Sequence, residues 1–299
     1  MMQIPLHSDW HDTKLTLHLI SQLLGKIRLQ LAPPEPQWGH VSLPLTVNGF
    51  TTGLLFEGER ALQLDVDLLS SCLVVHVEED QTDAILIEAG KTIKSYHDDL
   101  FNRLRTHGVD IRINPKPQEM TFQGLLDTDE TPLAYDAAYA RQGLRLFQRA
   151  AHEQLTYLSK LRCRKIKPAL FWGTFDVSSL VIYPIEHPFP EDKVIERVAF
   201  DEQLIEFGFW LGDDVTERPS YFVLPYPFLF RPLPTVTLQP EAAYYDAEKS
   251  EFFLPLDEGT SGEVQAFLST SFDILMDEMD WTMRDHFFIP LKLEEESGE

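Results

Sequence analysis

The sequence predicts an α+β protein, with antiparallel sheets and flanking helices. Three observations carry that prediction. Stretches 11–31 and 136–162 space their apolar residues at the 3.6-residue period of an amphipathic helix. Between and after them the text turns to alternation and short apolar runs, broken by turn signals such as Asn48-Gly49 and Glu57-Gly58. The order helix, several strands, helix then occurs twice, and Trp-Gly follows each long helix, at Trp38-Gly39 and Trp172-Gly173. That repetition suggests two similar halves.

In the first helix, Leu15, Leu19, Ile20, Leu23, Leu24, Ile27 and Leu31 form the apolar stripe. His18, Ser21, Gln22, Gly25 and Arg28 share the opposite face, and Gly25 is a place where another element could press close. Pro33, Pro34 and Pro36 end the helix. Residues 40–88 read as an antiparallel meander of four or five strands. A helix over 91–107 stops at Gly108, and 109–113 reads as a short strand. Residues 118–135 hold no sustained period and join an N-terminal half, 1–117, to a C-terminal half, 136–290.

The second half opens on the helix at 136–162 and continues with strand-like text at 169–183, 194–211 and 220–230. Pro225 and Pro227 cannot donate to a ladder, so the third of these is expected at an edge or a bulge. A hairpin turning at 247–250 and a helix at 262–279 follow. The polar tail, 291–299, is expected to be disordered.

An apolar fraction of 43% predicts a packed core. With 48 acidic against 25 basic residues, the net charge of −23 repels phosphate backbones, which argues against a nucleic-acid partner. No apolar run approaches the roughly 20 residues that span a bilayer, and the first ten residues lack the form of a secretory leader. The expectation is a soluble, cytoplasmic, acidic protein without a membrane partner; a homo-oligomer is left open. Cys72 and Cys163 are far apart in sequence, and the cations around Cys163 would lower a thiol pKa.

Candidate site residues come from strand alternation. If 170–183 is one strand, Trp172, Thr174, Asp176 and Ser178 share a face, while Phe171, Gly173, Phe175, Val177 and Val181 face the core. An aromatic plate beside a carboxylate and hydroxyls suits a polar ligand with an apolar side. In 202–210, Glu202, Glu206, Gly208 and Trp210 share a face. Should the two strands be neighbours, Asp176 and Glu206 would form a carboxylate pair able to divide acid and base roles. The five cations within 160–167 would favour the end of the preceding helix or hold an anionic group.

His18 and His40 stand at the margin of this site. No His-Glu-x-x-His, paired-cysteine, phosphate-loop or Gly-x-Ser-x-Gly motif is present, so no metal or cofactor is assigned.

Several motifs occur in combination: Trp10-x-Asp12-Thr13, Thr16-Leu17-His18, Gln22-x-x-Gly25-Lys26-x-Arg28-Leu29, Trp38-x-His40, Phe171-Trp172-Gly173-x-Phe175-Asp176 and Gly208-Phe209-Trp210. With the tyrosine-proline run near Pro225 to Pro227, the chain resembles a bacterial family of uncharacterised proteins, known only as a domain of unknown function. The resemblance covers nearly the whole chain and brings no activity, substrate or cofactor. It implies a histidine shortly before Phe-Trp-Gly and a Ser-His-Glu ahead of Gly-Phe-Trp; here those places hold Ala169 and Asp201-Glu202-Gln203. That departure favours binding over catalysis, with His18, His40, Trp172, Asp176 and Trp210 as the shared residues.

The sequence thus points to a small-molecule-binding protein with a pocket of Trp172, Asp176 and Trp210, flanked by His18, His40 and Glu206. Two alternatives stand beside it: an enzyme with a histidine or carboxylate general base, and a protein-interaction module presenting the aromatic stretch 220–230.

Overall fold

A computed structural model describes residues 4–78, 81–190, 193–257 and 260–290, with the side chains of residues 81, 194, 195 and 261 left aside. The expected tail, 291–299, lies outside the described residues. The described chain is α+β, with six α-helices and two antiparallel sheets of five and six strands.

Helix α1 spans His7–Leu31 and is buried on nearly every side from Thr16 to Ile27. Its apolar stripe alone does not explain this; the polar face is covered as well. The first sheet contains β1 (Gly49–Thr51), β2 (Leu55–Glu57), β3 (Arg60–Asp67), β4 (Cys72–Val77) and β5 (Gln81–Leu86), in the order β1-β3-β4-β5 with β2 also on β3. In β3 and β4, Leu62, Leu64, Val66, Leu73, Val75 and Val77 alternate inward. Helix α2 (Ile93–Thr106), capped by the Thr92 side chain, packs on this sheet and on α1.

Helix α3 (Ala137–Leu158) starts where Asp136 accepts from Ala138 N and Tyr139 N. The second sheet follows, with β6 (Arg164–Phe171), β7 (Asp176–Glu186), helix α4 (Val194–Ala199), β8 (Glu202–Trp210), β9 (Ser220–Tyr226), β10 (Tyr244–Asp246) and β11 (Glu251–Pro255). Its order is β10-β11-β9-β8-β7-β6. Helix α5 (Val264–Glu278) and the short α6 (Arg284–Phe287) complete the described chain. Val177, Val181, Ile205, Phe207, Phe209, Val223, Phe252 and Leu254 line the inner face of the second sheet, in one apolar cluster with α1, α3, α5 and the first sheet. Each fully buried ring or aliphatic side chain adds about 1.5–3 kcal/mol.

Five local expectations are corrected. Residues 40–47 form isolated bridges, Leu43↔Leu170 and Leu45↔Phe50, rather than a strand. Val109 and Ile111 are buried without joining a sheet. The stretch 169–183 is two strands with a turn at 172–175, and 194–211 divides into α4 and β8. Strand β9 lies inside the sheet, between β11 and β8. Pro225 is tolerated there because it falls beyond Phe252↔Val223, where pairing with β11 stops.

Candidate functional site: an acidic, aromatic cavity

The outer face of the second sheet follows from register. Phe171 pairs with Asp176 and Ala169 with Ser178 across β6 and β7; Ser178 pairs with Gly208 and Leu180 with Glu206 across β7 and β8. Glu206 meets Leu224, Gly208 meets Phe222, and Phe222 meets Phe253 on the next strands. Directly paired residues share a face, so one outer surface gathers aromatic rings and carboxyl groups. It is roofed by the single helical turn Pro36–Trp38, by Glu119 and by α4, leaving a cavity of about 340 Å³. Trp38, Phe171, Phe200, Trp210, Phe222 and Phe253 supply aromatic walls; Glu119, Asp176, Glu196, Glu206 and Glu251 supply carboxyls.

Asp176 is 5% exposed and accepts from the hydroxyls of Thr174 and Ser178. Burial pushes its carboxyl above the usual range, and the two hydroxyls and Lys14 oppose the rise. Glu206 is pushed up to about 8, first by burial and then by the charge of Asp176, while a hydrogen bond with Ser178 opposes the rise. Ser178 thus stands between two neighbouring carboxyls, and burial disfavours charge on both.

Two further carboxyls sit near neutrality. Glu119 is exposed, yet desolvation by the protein around it leads in raising it to about 7, followed by Asp176 and Glu196. Glu251 is likewise raised to about 7 by burial, with Asp246 and Asp176 adding and Lys249 opposing.

The Phe-Trp-Gly-Thr-Phe-Asp stretch is the turn that separates inside from outside. Phe171 and Asp176 face the cavity; Trp172 turns the other way, 1% exposed, its Nε1 donating to Val41 O at 3.0 Å. Gly25 of α1 makes room, because a Cβ there would overlap the Trp172 ring. His18 Nε2 lies 2.9 Å from Gly173 O and 3.1 Å from Trp172 O, and Gln22 Nε2 donates to Trp172 O at 3.0 Å. Two carbonyl partners require His18 to carry its proton on Nε2. Burial lowers its pKa to about 4, so the ring is neutral. It stacks on Phe175, whose φ of 61° is left-handed.

Gln37 and Trp38, with φ of 51° and 55°, and Glu119, with φ of 54°, also border the cavity. Such backbone costs about 1–3 kcal/mol per residue and persists where its surroundings over-determine it.

Residues 3–286 match a family model described as a family of unknown function, DUF5996. The chain belongs to the DUF5996 family. No curated protein and no solved structure matches it. Every cavity-lining residue of this DUF5996 chain, from Gln37 to Phe253, falls inside the matched region. Among the described residues no helix is long and apolar enough to cross a membrane, and no three His, Cys, Asp or Glu side chains converge as a metal site.

Of the residues singled out in the sequence, Asp176, Glu206 and Trp210 line the cavity of the DUF5996 domain, and Trp172, His18 and His40 do not. Trp172 leaves the shared face because the turn at 172–175 breaks the alternation assumed for a continuous strand. Phe171 takes its place. His40 accepts from Glu35 N at 3.0 Å through Nδ1 and shapes the approach to the Pro36–Trp38 turn. Phe222, Phe253, Glu251, Glu119 and Trp38 were missed; the first three are reachable by period-two counting, whereas Glu119 lies in text without a period.

The cationic run is occupied elsewhere. Lys165 donates to Leu158 O at the end of α3 and to Leu161 O beyond it, Arg162 binds the carbonyls of Ile289 and Pro290, and Arg164 pairs with Glu202. Burial raises the Cys163 thiol, outweighing the neighbouring Lys165, so the cationic text around it does not activate it.

Proposed function

We propose that this protein binds a small molecule in the cavity on the outer face of its second sheet. One observation carries the reading: an aromatic-walled space of about 340 Å³ onto which the buried, hydrogen-bonded carboxyl of Asp176 opens beside the half-buried Glu206. That volume lies at the lower end of the ~300–1,000 Å³ range of pockets that enclose a small ligand. Left-handed backbone at Gln37, Trp38 and Glu119 supports it, since strain of this kind gathers at ligand sites. The acidic composition fits a soluble cytoplasmic protein.

The Asp176–Glu206 pair favours catalysis as a second reading. Two neighbouring carboxyls beside one serine, both pushed up by burial, can hold a proton between them and divide acid and base roles. A histidine base loses support, because His18 and His40 stand outside the cavity.

Intrinsic tryptophan fluorescence and thermal shift against a panel of small metabolites test the binding reading. A compound that stabilises the wild type should lose at least roughly tenfold in affinity with Asp176→Asn. Hits unaffected by Asp176→Asn, Glu206→Gln and Trp210→Phe alike would place the ligand elsewhere and overturn the assignment.

A further inference from the structure

We infer that the ligand of this cavity is an organic cation, an amine, guanidine or quaternary ammonium carried on an apolar body. The inference rests on the reading of the cavity as a ligand site and names the chemistry that site selects. Glu119, Asp176, Glu196, Glu206 and Glu251 line the space, and no lysine, arginine or histidine does so among the described residues. The chain had cations to place there, since five lie within 160–167, and it spends Arg162, Arg164 and Lys165 on other contacts. A pocket for an anionic ligand would reverse this arrangement.

The carboxyls are distributed over β7, β8, β11, α4 and the 118–135 connection rather than focused at one point. No three of them converge as a metal site among the described residues. Spread acids suit an extended organic cation better than a bare ion. Between them stand the rings of Phe171, Trp210 and Phe222, which can attract a cation through the ring quadrupole and accept an apolar body, while Phe253 already carries Lys249 Nζ at 5.1 Å.

Trp210 Nε1 is buried without a hydrogen-bond partner, a donor for an acceptor atom on the ligand's body and not for its cationic head. The raised pKa of the half-buried Glu206, which no side-chain cation offsets, is consistent with a carboxyl whose counter-charge a bound cation would supply.

The test uses the full chain and three aromatic probes of similar shape: phenethylamine, phenethyl alcohol and hydrocinnamate, with benzyltrimethylammonium as a permanent cation. Binding is read near neutral pH by tryptophan fluorescence and thermal shift. The cations should bind roughly tenfold or more tightly than the alcohol, and hydrocinnamate should be weakest. Amine binding should also release protons as Glu206 ionises, read as a buffer-dependent binding heat in calorimetry. Glu251→Gln, at the cavity margin, should weaken the cations several-fold and leave the alcohol unchanged, which separates charge recognition from loss of fold.

Equal or tighter binding of the alcohol or of hydrocinnamate would overturn the cationic class while leaving the cavity as a ligand site. Silence from every probe would overturn both.

Discussion

Asp176 and Glu206 flank the hydroxyl of Ser178, and burial disfavours charge on both. Burial first, and then the charge of Asp176, holds Glu206 in its neutral form, with a pKa raised from 4.5 to about 8. A carboxyl raised in the folded state contributes stability below its unfolded pKa and loses it as pH rises through the folded value. The wild type should therefore lose stability between about pH 4.5 and 8. Glu206→Gln, which cannot ionise, should flatten that decline and be more stable at its alkaline end by on the order of 1–3 kcal/mol.

His18 acts with the opposite sign. Its folded pKa is depressed from 6.5 to about 4, so stability tied to it is lost as pH falls through that window. Urea denaturation across pH checks both. Parallel wild-type and Glu206→Gln profiles would show that Glu206 is not held neutral.

At the scale of elements, two glycines with overlapping neighbours make opposite predictions. Gly25 of α1 lies against the Trp172 ring, which is fully buried and tied to Val41 O by one hydrogen bond, and a Cβ there has nowhere to push. Gly25→Ala should destabilise by about 1–3 kcal/mol or more through overpacking, although alanine is the better helix former by ~1 kcal/mol. Gly208 of β8 lies under Phe222, whose half-buried ring borders the cavity. Gly208→Ala should cost under ~1 kcal/mol because Phe222 can move into the open space, and ligand binding should fall instead. Denaturant midpoints and the fluorescence titration of both variants decide the matter.

The element scale also marks where alternation stops being readable. Counting by two within β7 and β8 places Asp176, Ser178, Glu206, Gly208 and Trp210 together, because strand geometry is local. Counting across 172–175 fails, since Phe175 adopts a left-handed φ of 61° and the chain reverses. A non-glycine residue rarely takes that conformation, so neither the turn nor the exchange of Phe171 for Trp172 at the cavity is written in residue type.

Across the whole molecule, tryptophans report on separate regions. Trp172 is sealed in the core and Trp38 and Trp210 border the cavity. Ligand-induced fluorescence change should therefore be strongly reduced in Trp210→Phe, with small loss of stability. Trp172→Phe should keep the change and lower stability by about 1–3 kcal/mol, through the void and the lost bond to Val41. The converse result would return the ligand to the Trp172 side. The net charge of −23 acts on the same scale, drawing cations toward the molecule as a whole.

By itself the sequence determined the α+β class, the main helices and most strands, and the shared face of Asp176 with Ser178 and of Glu206 with Trp210. Each of these depends on periods of 2 or 3.6 residues, which are set within one element. The tertiary structure alone decided that these faces adjoin, that Glu119 and the Pro36–Trp38 turn close over them, and that His18 and Gly25 receive Trp172 rather than a ligand. Those outcomes depend on packing between residues about 80 to 150 positions apart, as in the bonds from Gln22 to Gln118 and Trp172, and no local period encodes them.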